Sequence, residues 1–208
     1  GEGAGEGLGL ENDELDSFAA YDQSLAKAVA GLQGEERSAK LTSTAVCEAL
    51  APVISAALAI AEFDGIDFQV DVADDLPLVL AEQRVLQEAV SNLLDNALKF
   101  VLIQPDSDGA MPPEVLLSIA AREAEGGTAV EIRVEDNGPG TEHTSVQLCK
   151  SGFRGQEAVN NRVPGTGLGL HIVEELVGLM EGELELASSK RLGGFSASIV
   201  VQCPSSEA

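Results

Sequence analysis

The sequence has few basic residues. Only 12 of its 208 residues are Lys or Arg, against 35 Asp and Glu, so the formal net charge is -23. A chain with this charge repels nucleic acid and anionic membrane surfaces, and we expect neither as a partner of this segment. Any polyphosphate ligand therefore needs a local cation, from a side chain or a metal ion, to offset the negative field.

Tryptophan is absent and aromatic residues make up 3% of the chain, so the core must be built from aliphatic side chains. Apolar residues make up 44%, enough for one domain with a core. Cys47, Cys149 and Cys203 are odd in number and have no paired spacing. They predict neither a zinc site nor a disulfide framework, and favour a reducing compartment such as the bacterial cytoplasm or the plastid stroma. We expect no apolar run of membrane-spanning length and no signal peptide.

Composition divides the chain into four parts. Residues 1–12 are a Gly/Glu-rich tail that we expect to be disordered. Residues 13–39 predict a short helix and linker, interpreted as the remnant of an upstream helical hairpin. Residues 40–204 carry the apolar patterns of one domain, and residues 205–208 form a tail. Because the chain begins with Gly and not Met, we expect a fragment or a processed product. We expect this segment to be a monomer, since the upstream hairpin through which it would dimerise is absent from residues 1–208.

Apolar periodicity within residues 40–204 predicts helices over 43–65 and 82–100 and a third after the glycines at 165–169. It predicts strands over 66–72, 76–80, 115–123, 128–138, 182–189 and 194–204. Residues 141–164 lack periodicity and predict a long loop, with or without a small helix. Runs of strands mixed with helices favour a two-layer α/β (α+β) sandwich over a doubly wound parallel sheet.

The predicted helix over 82–100 has an unusual polar face. Glu88, Asn92 and Asn96 lie four residues apart and Lys99 follows three further on, so the four share one side of the helix. Asn is a poor helix former, and two in register need a reason. Amide oxygens can ligate Mg²⁺ beside phosphates. The alternative is an ordinary solvated face.

Two glycine-containing segments complete the set of candidate motifs. In "VEDNGPG" a strand pattern ends at Asp136, followed by Gly138 and Gly140. A carboxylate there can accept a hydrogen bond from a ligand amino group, although the same residues are also strong turn formers.

In "RVPGTGLGLHIV" three glycines, at 165, 167 and 169, precede a predicted helix, where backbone N–H groups can converge on an anion. Alone this segment is a weak signal, because it matches neither the P-loop nor the dinucleotide fingerprint.

Together and in this order, the motifs resemble the ATP-binding catalytic domain of sensor histidine kinases, within the wider GHKL group of gyrase-, Hsp90- and MutL-type ATPases. "NLLDNALKF" resembles the Asn box, "DNGPG" the first glycine box and "GTGLGLHIV" the second, and "GGFSASIVV" is similar to the closing strand. The resemblance covers residues 40–204. It implies a Bergerat-type fold with a mixed, mainly antiparallel sheet and a mobile lid over residues 141–164.

The resemblance also implies roles for single residues. Asn96 would ligate Mg²⁺, Asn92 would support the phosphates and Lys99 would contact phosphate. Asp136 would accept a hydrogen bond from the adenine amino group. The other residues expected to contact ATP are two that leave room for the adenine ring and eight from the lid, its hinge and the phosphate loop: Gly138, Gly140, Phe153, Arg154, Gly165, Thr166, Gly167, Leu168, Gly169 and Leu170. Cys149 and Gly152 replace aromatic residues that are usual in the lid.

One position separates hydrolases from kinases in this group. The hydrolases carry a Glu as general base four residues before the Mg²⁺-binding Asn, where this chain has Asn92. An amide cannot take up a proton at neutral pH, so the site favours phosphoryl transfer to an acceptor. Glu88 is a full helical turn further away.

The resemblance implies a histidine protein kinase of two-component signal transduction, with ATP and Mg²⁺ as cofactors and a downstream response regulator as partner. Neither His143 nor His171 has the flanking pattern of a phosphoacceptor, so we expect the acceptor His on a domain outside this chain. Chloroplast sensor kinases of plants and algae are one group in which the acceptor varies. The alternatives are a pseudokinase-like nucleotide sensor and a GHKL Ser/Thr protein kinase.

Overall fold

The computed structural model describes residues 40–103, 111–124, 127–153 and 167–204. Expectations for residues 1–39 and 205–208 lie outside the described residues. In chain order the elements are β1 (Thr42–Thr44), α1 (Val46–Asp64), β2 (Asp67–Val72), β3 (Val79–Ala81), α2 (Gln83–Phe100), β4 (Glu114–Ala124), β5 (Gly127–Asp136), α3 (Ser145–Leu148), α4 (Gly169–Leu179), β6 (Glu183–Ser188) and β7 (Phe195–Gln202).

Five of the strands form one mixed sheet in the order β2-β4-β5-β7-β6. β2 runs parallel to β4, and the other neighbouring pairs are antiparallel. β1 and β3 form a separate antiparallel pair. The prediction of a mixed, mainly antiparallel sheet in a two-layer α/β sandwich is confirmed.

One face of the sheet carries the core. Successive strand residues point to opposite faces, and the alternate positions Val130, Ile132 and Val134 of β5 are buried in the same cluster as residues of α1, α2 and α4. Ile199 of β7 is paired with Ile132 and is fully buried with it. Asp136 continues this alternation, so the end of β5 places its carboxylate on the side of the sheet that faces the helices.

α2 lies centrally because its sequence is amphipathic. Its buried stripe consists of Val85, Leu86, Ala89, Val90, Leu93, Leu94, Ala97 and Leu98. The helix begins after Glu82, whose carboxylate accepts hydrogen bonds from the backbone N–H groups of Arg84 and Val85 and so caps the helix start. This cap and stripe fix which side of α2 presents Asn92 and Asn96.

α1 differs from expectation in two ways. It begins at Val46, because Ser43 and Thr44 belong to β1, where they pair with β3. Its 19 residues are long and apolar enough to cross a membrane by length and composition, so the expectation that no run has that length is wrong. Leu50 and Ala57 on one side of α1 are buried in the core, and Gly65 ends the helix in the left-handed conformation with φ +70°.

Candidate functional site

The three candidate motifs meet at the C-terminal half of α2. A Cβ atom on Gly169, the first residue of α4, would lie 3.2 Å from Nδ2 and 3.3 Å from Oδ1 of Asn96. A Cβ atom on Gly138 would lie 2.9 Å from the carbonyl oxygen of Phe100, the last residue of α2. Gly138 therefore needs to be glycine for close approach to the α2 backbone, and Gly169 packs tightly against the Asn96 side chain, 73 positions away in sequence.

Asp136 is the most buried charged side chain of this set, with 3% of its surface exposed. Its Oδ1 atom accepts hydrogen bonds from the backbone N–H groups of Gly138 at 2.9 Å and Phe195 at 3.2 Å. One donor lies in the turn after β5 and the other at the start of β7. The carboxylate is thus fixed in orientation before any ligand arrives.

The electrostatics of Asp136 are set mainly by its burial. Its pKa is raised from an ordinary value of 3.8 to about 6; loss of solvent is the main cause, and the neighbouring Glu135 charge also contributes to the rise. The N–H donors of Phe195 and Gly138 act in the opposite direction, because they stabilise the ionised form. The group is therefore ionised at neutral pH but protonates in mildly acidic solution.

The polar face of α2 is already organised. The side-chain amide of Asn92 donates to the carbonyl of Glu88 at 2.9 Å, within its own helix. Lys99 forms an ion pair with Asp95 one turn earlier. Asn92, Asn96 and Lys99 are all partly exposed, as side chains that meet a ligand must be.

The turn after β5 and the approach to α4 use glycine for backbone reasons. Gly140 has φ +66° and Gly167 has φ +76°, a region that side chains with a Cβ rarely adopt. Leu168 precedes α4, where no side-chain cap is formed within the described residues, and Leu170 lies in the first turn. The first backbone N–H groups of α4 are therefore candidate anion donors beside Asn96.

The described part of the expected lid contains a single short helix, α3. Thr144 and Gln147 form a capping box at its start. The His143 and Phe153 rings meet edge to face with their centroids 5.0 Å apart. Cys149 is buried where an aromatic residue was expected, and burial, followed by the Glu174 carboxylate, raises its pKa to about 11. Of the predicted site residues, Arg154, Gly165 and Thr166 lie outside the described residues.

Three residues that the sequence motifs did not indicate also belong to the site. Gly194 donates its N–H to the carbonyl oxygen of Asp136 at 3.1 Å. Ser189 donates its hydroxyl to Glu135 at 2.8 Å, and both of these side chains are buried. Gly194 lies in the segment "GGFSASIVV", which the sequence analysis related only to the closing strand.

Comparison with known proteins agrees with this geometry. Residues 81–206, more than half of the chain, match the family described as "Histidine kinase-, DNA gyrase B-, and HSP90-like ATPase". The chain belongs to this family. The match begins at the last residue of β3 and includes α2, the end of β5 and α4.

Named relatives place the chain within the histidine kinase branch of this ATPase family. It is 38% identical over 133 residues to "Sensor histidine kinase Hik2" of Thermosynechococcus vestitus, covering 64% of this chain and 31% of that protein. It is 41% identical over 96 residues to "Chloroplast sensor kinase, chloroplastic" of Phaeodactylum tricornutum, covering 45% of this chain and 16% of that protein. The chain is an ATP-binding catalytic domain of the sensor histidine kinase type, and spans less than a third of these relatives.

Solved structures of the ATPase family show the same fold. "Crystal structure of ShkA full-length in complex with AMPPNP" matches with a TM-score of 0.64 at 24% identity, covering 88% of this chain and 36% of that one. "Catalytic domain of histidine kinase ThkA" matches with a TM-score of 0.62 at 17% identity, covering 79% and 99%. At these identities the likeness establishes the fold, and the Bergerat-type architecture is confirmed.

Burial of the Asp136 charge predicts a pH-dependent gain in stability for Asp136→Asn. Because the native pKa is raised, ionising the buried group costs stability as pH rises through about 6. Asn keeps the Oδ1 acceptor but carries no charge. In urea unfolding, the free energy of unfolding of Asp136→Asn relative to the parent should be about 2 kcal/mol higher at pH 8 than at pH 4.

Asp74→Asn is the matched control, because Asp74 is an exposed carboxylate on the loop after β2. Its difference from the parent should be the same at both pH values. A constant difference for Asp136→Asn as well would contradict the assigned cost of burying this charge.

Proposed function

We propose that this domain binds Mg-ATP around the end of α2 and transfers the γ-phosphoryl group to a His side chain on a domain outside residues 1–208. The observation that carries the proposal is the convergence of the buried Asp136 carboxylate, the Asn96 amide and the glycine-led start of α4. Each alone has an ordinary structural explanation. Together they would accept a hydrogen bond from the adenine and bind the phosphates of a single nucleotide.

Adenine recognition falls to Asp136. Both backbone donors bind Oδ1, so Oδ2 is the oxygen that would accept a hydrogen bond from the exocyclic amino group. Gly138 lies against the carbonyl of Phe100, and Gly140 has a backbone conformation that favours glycine, so the turn stays thin enough for a flat ring. A hydrogen bond to a charged, buried acceptor is worth about 1.5–3 kcal/mol, which is enough to select a base.

Residues of α2 and α4 would bind the phosphates. Asn96 lies against Gly169, so its amide oxygen is beside the first N–H groups of α4. Mg²⁺, held by Asn96 together with phosphate oxygens and water, would neutralise charge on the phosphates. The amide nitrogen of Asn92 donates to the Glu88 carbonyl, so only the amide oxygen of Asn92 would contact the ligand. Lys99 would exchange Asp95 for phosphate.

The residues expected to complete the site are those of the lid and its hinge. Phe153 would pack on the nucleotide side of the lid, and Leu168 and Leu170 would flank the phosphate loop. Arg154, Gly165 and Thr166 keep the roles expected for them as proposals. Residues 40–204 are the proposed extent of the domain, which begins two residues before β1.

Phosphoryl transfer is proposed over hydrolysis because Asn92 stands where a general base would be needed. An amide cannot activate water by accepting its proton. The relatives named as sensor histidine kinases favour a His acceptor over a Ser/Thr acceptor or a non-catalytic sensor. A response regulator is the proposed downstream partner. Bacterial cytoplasm or plastid stroma is the proposed compartment, consistent with the free cysteines Cys47, Cys149 and Cys203.

Phosphotransfer to a separate acceptor tests the reaction. The chain would be mixed with radiolabelled ATP, Mg²⁺ and the His-containing helical hairpin of a related sensor kinase. We expect acid-labile phosphate on the hairpin, and its loss with Asn96→Ala. Acid-stable phosphate, or free phosphate released without labelling of the hairpin, would contradict the proposed acceptor.

Gly167→Ala should weaken nucleotide binding more than folding. Gly167 has φ +76°, so a Cβ there strains the approach to α4, and the strain is worth about 1–2 kcal/mol. Gly178→Ala is the control, because a Cβ at Gly178 meets open space late in α4 and should stabilise the helix. Titration of Mg-ATP and thermal unfolding of both variants make the comparison. Equal loss of affinity in the two variants would exclude a special role for Gly167.

A further inference from the structure

The turn between β6 and β7, residues 189–194, is held against Asp136 on the helix-facing side of the sheet. Gly194 donates its N–H to the carbonyl oxygen of Asp136 at 3.1 Å, and the next N–H, of Phe195, binds the carboxylate. A Cβ atom on Gly194 would lie 2.5 Å from that carbonyl oxygen and 2.6 Å from Oδ1. The turn therefore touches both the backbone and the side chain of Asp136, and only glycine fits at the contact.

Ser189 stabilises this turn through three hydrogen bonds within it. Its N–H donates to the carbonyl of Gly194 at 2.9 Å, and its own carbonyl accepts from Gly193 at 3.1 Å. Its hydroxyl oxygen accepts from the backbone N–H of Leu192 at 2.8 Å. With 5% of its surface exposed, Ser189 cannot give up these bonds to water without opening the turn.

Glu135 holds the same turn from the opposite face of the sheet. It precedes Asp136 on β5, so its side chain points away from the helices. Its Oε1 accepts the Ser189 hydroxyl at 2.8 Å, and the residue is 6% exposed. A buried carboxylate is tolerated only when it is hydrogen-bonded, so this contact ties the turn to the end of β5.

We propose that Ser189 and Glu135 are positioning residues for adenine recognition, which hold the N–H of Phe195 on the Asp136 carboxylate through the β6–β7 turn. Glu135 and Asp136 accept hydrogen bonds from the turn on opposite faces of the end of β5. Ser189 donates to Glu135 and also bonds within the turn, so it connects the two contacts. The nucleotide-dependent part of this inference rests on the proposed function. The geometric part concerns the unliganded domain and can be tested without nucleotide.

The two residues act on Asp136 in separable ways. Ser189 acts only through the shape of the turn, whereas Glu135 also acts through its charge, which after burial contributes to the raised pKa of Asp136. Other charged groups near the end of β5 include Lys99 and Asp95, paired on α2, and Glu131 and Arg133, paired on the Glu135 face of β5. Glu114 lies at the start of the neighbouring β4, and Lys190 and Arg191 are exposed in the turn. Glu135→Gln keeps an acceptor for Ser189 and removes only the charge.

Amide hydrogen exchange in the unliganded chain tests the mechanical link. Ser189→Ala should speed exchange at Phe195 and Gly194 by about tenfold, while the core amides of Ile132 and Ile199 stay protected. Ser198→Ala is the matched control, because Ser198 is a buried serine on the same face whose hydroxyl accepts from Arg133 instead. Unchanged exchange at Phe195 in Ser189→Ala would overturn the inference.

Nucleotide preference tests the consequence. The Kd for Mg-ATP and for Mg-GTP would be measured for the parent, Ser189→Ala and Ser198→Ala. We expect the preference for ATP to fall about fivefold in Ser189→Ala only, because guanine has a carbonyl where adenine donates. An unchanged preference would overturn the role in adenine recognition. Failure of phosphotransfer with normal ATP preference would instead count against the proposed reaction.

Glu135→Ala is the second test of the turn if Ser189→Ala unfolds, because it removes the acceptor of the Ser189 hydroxyl. Amide exchange at Phe195 should again become faster, and unchanged exchange would overturn the inference.

Glu135→Gln tests the charge of Glu135 separately. The carboxyl carbon of Asp136, followed by NMR against pH without nucleotide, should titrate at lower pH in this variant than in the parent, because a neighbouring negative charge has been removed. Mg-ATP binding should then persist to lower pH by the same shift. An Asp136 titration identical to that of the parent would overturn the coupling between the two carboxylates.

Discussion

The site depends on one constraint, the fixing of a buried carboxylate at the end of β5. Asp136 is held at Oδ1 by two backbone donors, from the turn that follows β5 and from the start of β7. Burial raises its pKa to about 6, and the two N–H groups oppose that rise. The ionised form therefore persists at neutral pH in a place that disfavours charge, and this is the form that the proposed adenine contact requires.

The same constraint explains the glycines around it. Gly138 lies against the last carbonyl of α2, Gly169 against Asn96, and Gly194 against Asp136 itself. Gly138 and Gly194 let two backbone segments approach more closely than a Cβ would allow, and Gly169 does the same for the Asn96 side chain. The sheet, α2 and α4 are therefore joined at the site through close contacts, while aliphatic side chains such as Leu94 and Ile199 supply the core. In a protein with a net charge of -23, the phosphate binding that we propose needs local positive charge, which the helix-terminal N–H groups, Lys99 and Mg²⁺ would supply.

Much of this could be predicted from the sequence because the signals are local. Asn92 and Asn96 sit at helical spacing, and Asp136 ends an alternating strand before a glycine turn. Contacts made by backbone across long separations leave no such pattern. No sequence pattern marked Ser189 or Glu135, because their contact forms only when the pairing of β5 with β7 brings the β6–β7 turn against the end of β5. β1 was missed because three Thr/Ser residues before a helix resemble a cap more than a strand.

Calorimetric titration of Mg-ATP into Asp136→Ala and Asn96→Ala tests the central claim most directly, with Asp74→Ala as an exposed carboxylate control. The account predicts that each site variant binds at least about tenfold more weakly than the parent, since each loses a hydrogen bond to a charged group or a metal ligand. It predicts that Asp74→Ala binds like the parent. If Asp136→Ala and Asn96→Ala both bind Mg-ATP as tightly as the parent, the nucleotide does not lie at the end of α2.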